Sequence, residues 1–152
     1  MSVEIRPATA ADAAAVVPLV VELGAGFHRP PRTDEALVVS YLQQPGCGIL
    51  LAVADGAPVG FLAHATTVDL YLGSPAGEIV DLLVTERARG EGIGSALVAA
   101  ALRHFERAGC GQVRVVTDWD NGPARRIYAK AGLTGELLCL HRHFDADTHD
   151  DG

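Results

Sequence analysis

The sequence has few cysteines, few aromatic residues and no excess of positive charge. Its 152 residues include three cysteines, Cys47, Cys110 and Cys139, which are widely spaced and form no Cys-x-x-Cys pair. An odd number of widely spaced thiols argues against a disulfide framework and against a zinc site, and it is typical of a reducing compartment. We therefore expect free thiols, no metal and a cytoplasmic location.

Long apolar runs are also missing. No run approaches the roughly 18 apolar residues of a membrane-spanning helix, and the first residues carry no basic, signal-like region. The formal net charge is −7, which is unsuited to binding the phosphate backbone of nucleic acids. These absences predict no membrane and no nucleic-acid partner, whereas a cationic ligand is compatible with the charge.

What the sequence does have is enough apolar residues, 49%, for one domain with a real core. Apolar periodicity predicts the element order β-α-α-β-β-β-α-β-α-β, ending in a strand at Glu136–Phe144. Several hairpin-connected strands precede one crossover helix, an order that predicts an α+β (mixed α/β) fold with a mixed sheet flanked by helices. We expect a single domain over residues 1–144 and a flexible acidic tail over 145–152.

The most distinctive stretch is Glu78–Ser95, which predicts a strand, a glycine-rich loop and a helix. Glycines let the backbone approach an anion, and the N–H groups at a helix start point towards it. A P-loop is excluded because Gly94 is followed by Ser95 without a lysine. A dinucleotide fingerprint starting at Gly90 or Gly92 fails because its last glycine position falls on Ser95 or Leu97.

Two motifs resemble those of the GNAT superfamily of acyl-CoA N-acyltransferases. Arg89-Gly90-Glu91-Gly92-Ile93-Gly94 is similar to its Arg/Gln-x-x-Gly-x-Gly/Ala signature. Asn121-x-x-Ala124-x-x-x-Tyr128-x-x-x-Gly132-Leu133 resembles its Asn…Ala…Tyr…Gly-Phe helix, with leucine in place of the commoner phenylalanine. The resemblance runs from Val3 to about Phe144. It implies a three-layer α/β/α fold with a mostly antiparallel sheet, and acetyl-CoA (coenzyme A) as the acyl donor without a metal.

The same resemblance implies the residues that bind the cofactor. The pyrophosphate would lie on the loop and helix start, formed by Arg89, Gly90, Glu91, Gly92, Ile93, Gly94 and Ser95. The pantetheine arm would pair with Leu82, Leu83 and Val84, and the N–H of Leu83 or Val84 would polarise the thioester carbonyl. Asn121 would bond the pantetheine, although it also suits the N-cap of a helix that has Pro123 in its first turn.

Three residues are candidates for proton transfer. Tyr128 corresponds to the donor to the leaving thiolate, and its alternative role is that of a core tyrosine. Glu78 is favoured as the base for the amine, with Asp81 as the second candidate, and pairing with an arginine is the structural alternative for each. A separation of three places the two carboxylates on opposite faces of a regular strand, but a bulge between them would break that alternation.

The resulting functional hypothesis is N-acetyl transfer from acetyl-CoA to a primary amine by direct attack in a ternary complex. A small-molecule acceptor is favoured. A non-catalytic acyl-CoA-binding module and a protein or peptide N-acetyltransferase are the alternatives. The acceptor's identity, the acyl-chain specificity and the oligomeric state stay open at this point, although a homodimer would be ordinary for the fold.

Overall fold

A computed structural model describes residues 2–27 and 30–144. These residues form five strands, β1–β5, at Val3–Pro7, Cys47–Ala54, Ala57–Asp69, Ser74–Val84 and Gln112–Val115. Four α-helices, α1–α4, span Ala13–Gly24, Glu35–Gln43, Ile93–Arg107 and Gly122–Lys130, with short 3₁₀ helices at Ala10–Asp12 and Glu86–Ala88. The acidic stretch 145–152, predicted to be a flexible tail, lies outside the described residues. Within the described ranges, no helix combines the length and the apolarity needed to cross a membrane.

The five strands form one sheet in the order of the chain, β1-β2-β3-β4-β5. Neighbouring strands are antiparallel except β4 and β5, which run parallel because α3 connects them as a crossover. One apolar cluster packs α1 and α2 against one face of the sheet, and a second packs α3 and part of α4 against the other. The predicted mixed, mostly antiparallel sheet between two helical layers is confirmed.

The tight turn between β2 and β3 follows from its two residues. Asp55 and Gly56 have φ angles of 51° and 77°, the left-handed pair that a two-residue hairpin requires. Pairing continues from Ala54↔Ala57 back to Cys47↔Ala65, with one irregularity at Ala52/Val53. The resulting long hairpin forms the centre of the sheet.

The predicted final strand, Glu136–Phe144, is wrong. The structure assigns neither strand nor helix to residues 134–144, and three leucines of this stretch are each at least 80% exposed: Leu137, Leu138 and Leu140. The alternation of apolar residues favours a strand, but a strand also needs a neighbouring backbone to pair with. Within the described residues the sheet ends at β5.

A histidine is buried where the sheet meets α3. His64 is 6% exposed, and its ring lies 4.5 Å from that of His104 and 5.8 Å from that of Phe105. Gly48 lies opposite it on β2, and a Cβ there would come within 2.6 Å of the imidazole. The glycine therefore makes room for the ring. Burial, together with the nearby His104, lowers the pKa of His64 to about 4.

This histidine makes stability depend on pH. Since the pKa of His64 is about 4 in the fold and 6.5 ordinarily, the unfolded chain takes up the proton first as the pH falls. The stabilising effect of the neutral ring is complete above pH 6.5 and is lost down to pH 4, a loss of at most about 3 kcal/mol. We expect urea unfolding to show this slope in the wild type and a much flatter one in His64→Gln. His141→Gln, at an exposed position, should keep the wild-type slope, and an equal slope in His64→Gln would contradict the assignment.

Candidate active site

A β-bulge in β4 interrupts the regular alternation of its side chains. On the neighbouring strand, Ala63 pairs with Asp81 and His64 pairs with Ile79. Ala63 and His64 are consecutive in β3, but their partners in β4 are separated by Val80. Val80 is therefore the extra, unpaired residue of the bulge. This is the feature that the sequence analysis named as the condition for bringing the two carboxylates together.

The bulge places Glu78 and Asp81 on the same face of the sheet. Ile79 before it and Leu82 after it both pack in the cluster beneath α3, which a regular strand would not allow at a separation of three. Asp81 opens into a cavity between the sheet and α1 and α2. Both carboxylates affect Tyr41 of α2. The pKa of its phenol is raised by burial and by three nearby groups, which are the Cys47 thiol, Asp81 and Glu78.

The cavity beside Asp81 has a volume of about 180 Å³ and is largely apolar. Asp81 keeps an exposed side chain in this concave setting, yet the surrounding protein desolvates it enough to raise the pKa of its carboxyl above the usual range. The lining comes from α1, α2 and the central strands: Val16, Val20, Thr33, Leu37, Val38, Tyr41, Ile49, Phe61, Ala63 and Asp81.

Glu78 has a different environment. It lies opposite Arg114 of β5 in the parallel register, with 3.9 Å between the Glu78 Oε2 and Arg114 Nη2 atoms. Both side chains are more than a third exposed, so the attraction is screened by solvent and is weak. The arginine pairing named as the structural alternative is therefore present for Glu78, whereas Asp81 faces the cavity.

Tyr128 is a buried residue of α4. It is 6% exposed and belongs to the cluster beneath α3. Burial, and secondly the Asp81 carboxylate, raise the pKa of its phenol to about 12. The hydroxyl is therefore protonated at neutral pH, and its acidity is electrostatically linked to the charge on Asp81.

An open backbone edge separates these groups from the glycine loop. Pairing of β4 with β5 ends at Ile79↔Val115, while β4 continues to Val84. The Thr85 N–H donates to the Val59 carbonyl, which fixes the hydrogen-bonding pattern of β4 with β3. In that pattern the Leu83 N–H points towards β3, whereas those of Leu82 and Val84 point to the open side.

The loop after β4 is exposed from Gly90 to Gly92 and leads into the start of α3, where Ile93 and Gly94 are buried. Gly90 and Gly92 have φ angles of 82° and 77°, and a Cβ at either would meet nothing within 4 Å. The first hydrogen bond into α3 runs from the Ala96 N–H to the Gly92 carbonyl. The N–H groups of Ile93, Gly94 and Ser95 precede it, and helical geometry gives them no partner within the helix. An anion could bind here.

Arg89 ties the end of β4 to α1. Its Nε donates to the Val84 carbonyl at 3.0 Å, and its Nη2 lies 3.7 Å from the Glu22 carboxylate, which also accepts from the Thr85 hydroxyl. The guanidinium is 58% exposed. In this structure Arg89 shapes the strand end, while the neighbouring Glu91 is exposed on the loop.

Asn121 caps α4. Its side-chain oxygen accepts the Ala124 N–H at 3.2 Å, so the N-cap role named in the sequence analysis is present. This cap does not use the two N–H donors of the side-chain amide, which can still donate hydrogen bonds to a ligand.

Tyr41 is a site residue that was not among the residues predicted from the sequence. Its hydroxyl donates to the His64 carbonyl at 2.7 Å, directly at the bulge, and its ring lines the cavity beside Asp81. The only sign of this hydrogen bond in the sequence is that a tyrosine lies on the apolar side of a helix. A tyrosine hydroxyl that is buried there needs a hydrogen-bond partner.

A second, larger cleft of about 460 Å³ lies elsewhere, between the β1–α1 connection, α2 and β2. None of the predicted catalytic residues lines it. Although it is larger, this cleft is therefore not part of the candidate active site. In the described part of the chain, no group of three or more metal-binding side chains comes together.

With this geometry in view, comparison with known proteins identifies the class. Residues 18–133 match the sequence profile of the Acetyltransferase (GNAT) family. The match covers most of the chain, which therefore belongs to this family of acetyltransferases. The resemblance inferred from the two motifs is confirmed.

Curated relatives are similar over part of the chain. A mycothiol acetyltransferase of Saccharomonospora viridis is 38% identical over 83 residues, which is 53% of this chain and 27% of that protein. The mycothiol acetyltransferase of Pseudarthrobacter chlorophenolicus is 41% identical over 90 residues, 57% of this chain and 27% of that protein. The matched region thus spans about a quarter of the length of these relatives.

Solved structures share the fold over nearly the whole chain. A protein described as a transcriptional regulator from Bacillus halodurans C-125 superimposes with a TM-score of 0.82 at 27% identity, covering 94% of this chain and 100% of that one. An aminoglycoside acetyltransferase from an uncultured soil sample, in complex with sisomicin, gives 0.80 at 21%, with 94% and 95% covered. The ribosomal-protein-alanine N-acetyltransferase of Brucella melitensis gives 0.79 at 22%, with 94% and 100% covered.

The contact between α3 and α4 depends on Gly94. A Cβ at this position would lie 3.0 Å from the Ile127 Cδ1 atom and 3.7 Å from a Val84 methyl group. We expect Gly94→Val to push α4 away and to lower the free energy of unfolding by about 1–3 kcal/mol, as measured by chemical denaturation. Gly135→Ala, where a Cβ meets nothing within 4 Å, is the control and should be neutral. Equal stability of the two variants would show that α4 does not pack as described.

Proposed function

We propose that this protein is an acetyl-CoA-dependent N-acetyltransferase that acetylates a primary amine on a small molecule, by direct attack in a ternary complex. The observation that carries the proposal is the open edge of β4, which leads from the unpaired N–H groups of α3 to Asp81 and Tyr128. Membership of the acetyltransferase family supports it. We infer that the enzyme acts in the cytoplasm, in keeping with its free thiols.

The donor set fits coenzyme A. The N–H groups of Ile93, Gly94 and Ser95 suit a pyrophosphate, because charge-assisted bonds at a helix start need no basic side chain. The N–H groups of Leu82 and Val84 suit the amides of an extended arm that adds to the edge of β4. The free amide donors of Asn121 lie at the start of α4 and suit the same arm. When bound, acetyl-CoA supplies a thioester carbonyl that an amine can attack.

The Val84 N–H is the candidate for stabilising the charge that develops on that carbonyl oxygen. It points to the open side of β4, whereas Leu83 N–H faces β3. Backbone donors held in place by a sheet do not reorganise during the reaction, and one such donor contributes roughly 3–4 kcal/mol in well-studied cases. The bulge at Val80 leaves this edge free just where the acidic side chain enters the cavity.

We assign the base to Asp81 in preference to Glu78. Asp81 faces the cavity and has a raised pKa, whereas Glu78 lies across from Arg114. An alkylammonium is mostly protonated at neutral pH, so Asp81 first attracts the cation and then accepts its proton, directly or through water.

Tyr128 completes the proton transfer. As the C–N bond forms and the C–S bond breaks, its hydroxyl would give a proton to the leaving sulfur, and the second proton that the nitrogen loses on becoming an amide would restore the phenol. The Asp81 carboxylate is one cause of the high pKa of Tyr128. When Asp81 has taken up the proton of the amine, that negative charge is gone and Tyr128 becomes the stronger acid. The two steps are thereby coupled in the order in which the reaction needs them.

The cavity favours an amine with a compact apolar body. Its volume of about 180 Å³ and its aliphatic and aromatic lining suit a small apolar group, and among the lining residues that the structure describes Asp81 supplies the only carboxylate. The names of the relatives span mycothiol, aminoglycosides and ribosomal-protein alanine, so acceptors differ widely on this fold. A small primary amine is the class that this chain's own cavity supports.

Binding of the donor is the first test. We expect isothermal titration to show one coenzyme A site per chain, and acetyl-CoA with a panel of alkyl and aralkyl amines to release free thiol. Gly92→Val forces a branched side chain into φ 77° at the start of α3 and should weaken coenzyme A binding about 5- to 150-fold, by strain of order 1–3 kcal/mol. Absence of coenzyme A binding by folded wild-type protein would refute the proposal. Binding without turnover of any amine would favour a non-catalytic acyl-CoA-binding module.

The proton-transfer roles are tested by three isosteric changes. We expect Asp81→Asn to lower kcat/KM for the amine about 100-fold and Tyr128→Phe to lower kcat about 10–100-fold, within the usual range of acid–base catalysis. Glu78→Gln is the matched control and should change either value less than about threefold. Because the pKa of Asp81 is raised, the acidic limb of the pH–rate profile should lie above the ordinary aspartate range and vanish in Asp81→Asn. A large loss in Glu78→Gln with activity retained in Asp81→Asn would reverse the assignment of the base.

A further inference from the structure

One carboxylate oxygen outside the acceptor cavity is buried without a hydrogen bond. It belongs to Glu22, in the last turn of α1. The Oε1 atom of this residue accepts a hydrogen bond from the Thr85 hydroxyl, whereas its buried Oε2 atom has no hydrogen-bond partner among the described residues. A buried charged oxygen that is left unsatisfied costs free energy, so its presence in a fold needs an explanation. The proposed proton transfers do not involve it.

Glu22 holds the chain at the end of β4 from two directions. One is the hydroxyl of Thr85, the first residue after β4. The other is Arg89, whose Nη2 atom lies 3.7 Å from the Glu22 Oε2 atom and whose Nε donates to the Val84 carbonyl at 3.0 Å. The Thr85 N–H is held separately, by the Val59 carbonyl. Val84 and Thr85 are thus fixed at three points, and Glu22 contributes to two of them.

This arrangement decides what the open edge of β4 can bind at its end. The N–H and C=O groups of Val84 point to the same, open side, as those of alternate residues in an antiparallel strand do. Because Arg89 already donates to the Val84 carbonyl, the N–H is the group of Val84 that remains for a ligand. The end of the edge therefore offers a donor, which suits a carbonyl oxygen better than a further amide N–H of an extended arm.

We propose that Glu22 is a positioning residue for acetyl transfer: through Thr85 and Arg89, it holds the Val84 N–H in the direction of the thioester carbonyl of acetyl-CoA. This inference rests on the proposed function, in which that N–H stabilises the developing charge. A donor that is fixed before the reaction stabilises such charge without reorganising.

The exposure of the ion pair separates this role from a purely structural one. The side chains of Arg89 and Glu22 are 58% and 34% exposed, so their attraction is screened and adds little to stability. The effect of Glu22 is instead on the alignment of the donor. Loss of the carboxylate should therefore change the chemistry more than it changes the free energy of unfolding.

The polarisation of the thioester carbonyl measures this alignment directly. We expect infrared difference spectra of bound acetyl-CoA, labelled with ¹³C at the carbonyl, to show a lower stretching frequency than free acetyl-CoA. Glu22→Leu has a side chain of similar size without an acceptor, and it should lose most of this shift. It should still bind coenzyme A, because the N–H groups of α3 that suit the pyrophosphate are unchanged. Glu86→Leu, the same change at an exposed residue beside Thr85, is the control and should keep the shift.

The outcomes distinguish this inference from the proposed function. A shift that persists in Glu22→Leu, or a wild type that binds acetyl-CoA without any shift, would overturn the positioning role and leave the acetyltransferase proposal intact. A folded wild type that does not bind acetyl-CoA would refute the proposed function, and the inference with it.

Variants of Thr85 give a second test that does not depend on the folding of Glu22→Leu. Thr85→Val removes the hydroxyl with little change of shape. It should lower kcat about tenfold at an almost unchanged KM for the amine, since misalignment costs less than the roughly 10²–10³-fold loss caused by removing a donor. Thr85→Ser keeps the hydroxyl and should keep the wild-type kcat. The losses in Glu22→Leu/Thr85→Val should not add, because both changes remove the same contact. Equal kcat values for the two Thr85 variants, or a change in KM alone, would contradict the proposal.

Discussion

The extra residue in β4 is the constraint on which the site depends. Without the bulge at Val80, Asp81 would share the face of Ile79 and point beneath α3 into a packed apolar cluster, at a large desolvation cost. With it, the same side chain opens into the cavity beneath α1 and α2. The bulge also changes the direction of the following peptide groups, so that two N–H donors face the side of β4 that β5 has left open.

This arrangement places unlike environments within a short distance. The phenol of Tyr128 is nearly inaccessible, while the carboxylate of Asp81 is open to its cavity, and yet that carboxylate helps to raise the pKa of Tyr128. Such coupling requires a low dielectric between the groups, which the apolar clusters on both faces of the sheet supply. The core therefore has a second role besides stability, since it determines how strongly one protonation state affects the next.

Much of this could be predicted from the sequence, because the signals were local. The Asp55-Gly56 turn, the helix after Gly92 and the nearly continuous apolar run of β4 each follow from a few adjacent residues, as do the two family motifs. The side chain directions in β4 could not be predicted, since a bulge depends on the register with β3 and leaves no mark in β4 alone. Glu78 and Asp81 are therefore both candidate bases on the sequence, and the proposal of Asp81 rests on the cavity and on Arg114, which only the fold brings together.

Two other features could not be predicted from the sequence, for related reasons. Tyr41 gives no sign in the sequence that its hydroxyl reaches the His64 carbonyl, because the two residues are brought together only by packing. Residues 136–144 have the composition of a strand, and the prediction failed because composition specifies what a segment can form but not which backbone it will pair with. Local pattern is a property of one segment, whereas pairing is a property of two.

The hydrogen bond from Tyr41 to the His64 carbonyl has a mechanical consequence. It joins the last turn of α2, in one wall of the cavity, to the backbone of β3 beside the bulge, 23 residues away in sequence. A ligand that is too wide for the cavity has to move α2 outward, and that movement pulls on the His64 peptide of β3, which pairs with β4 beside the bulge. An oversized guest would thus spoil the alignment of the donors as it enters. One movement of α2 would then affect both which ligands fit the cavity and how the reacting groups are aligned, so no separate gating element is required.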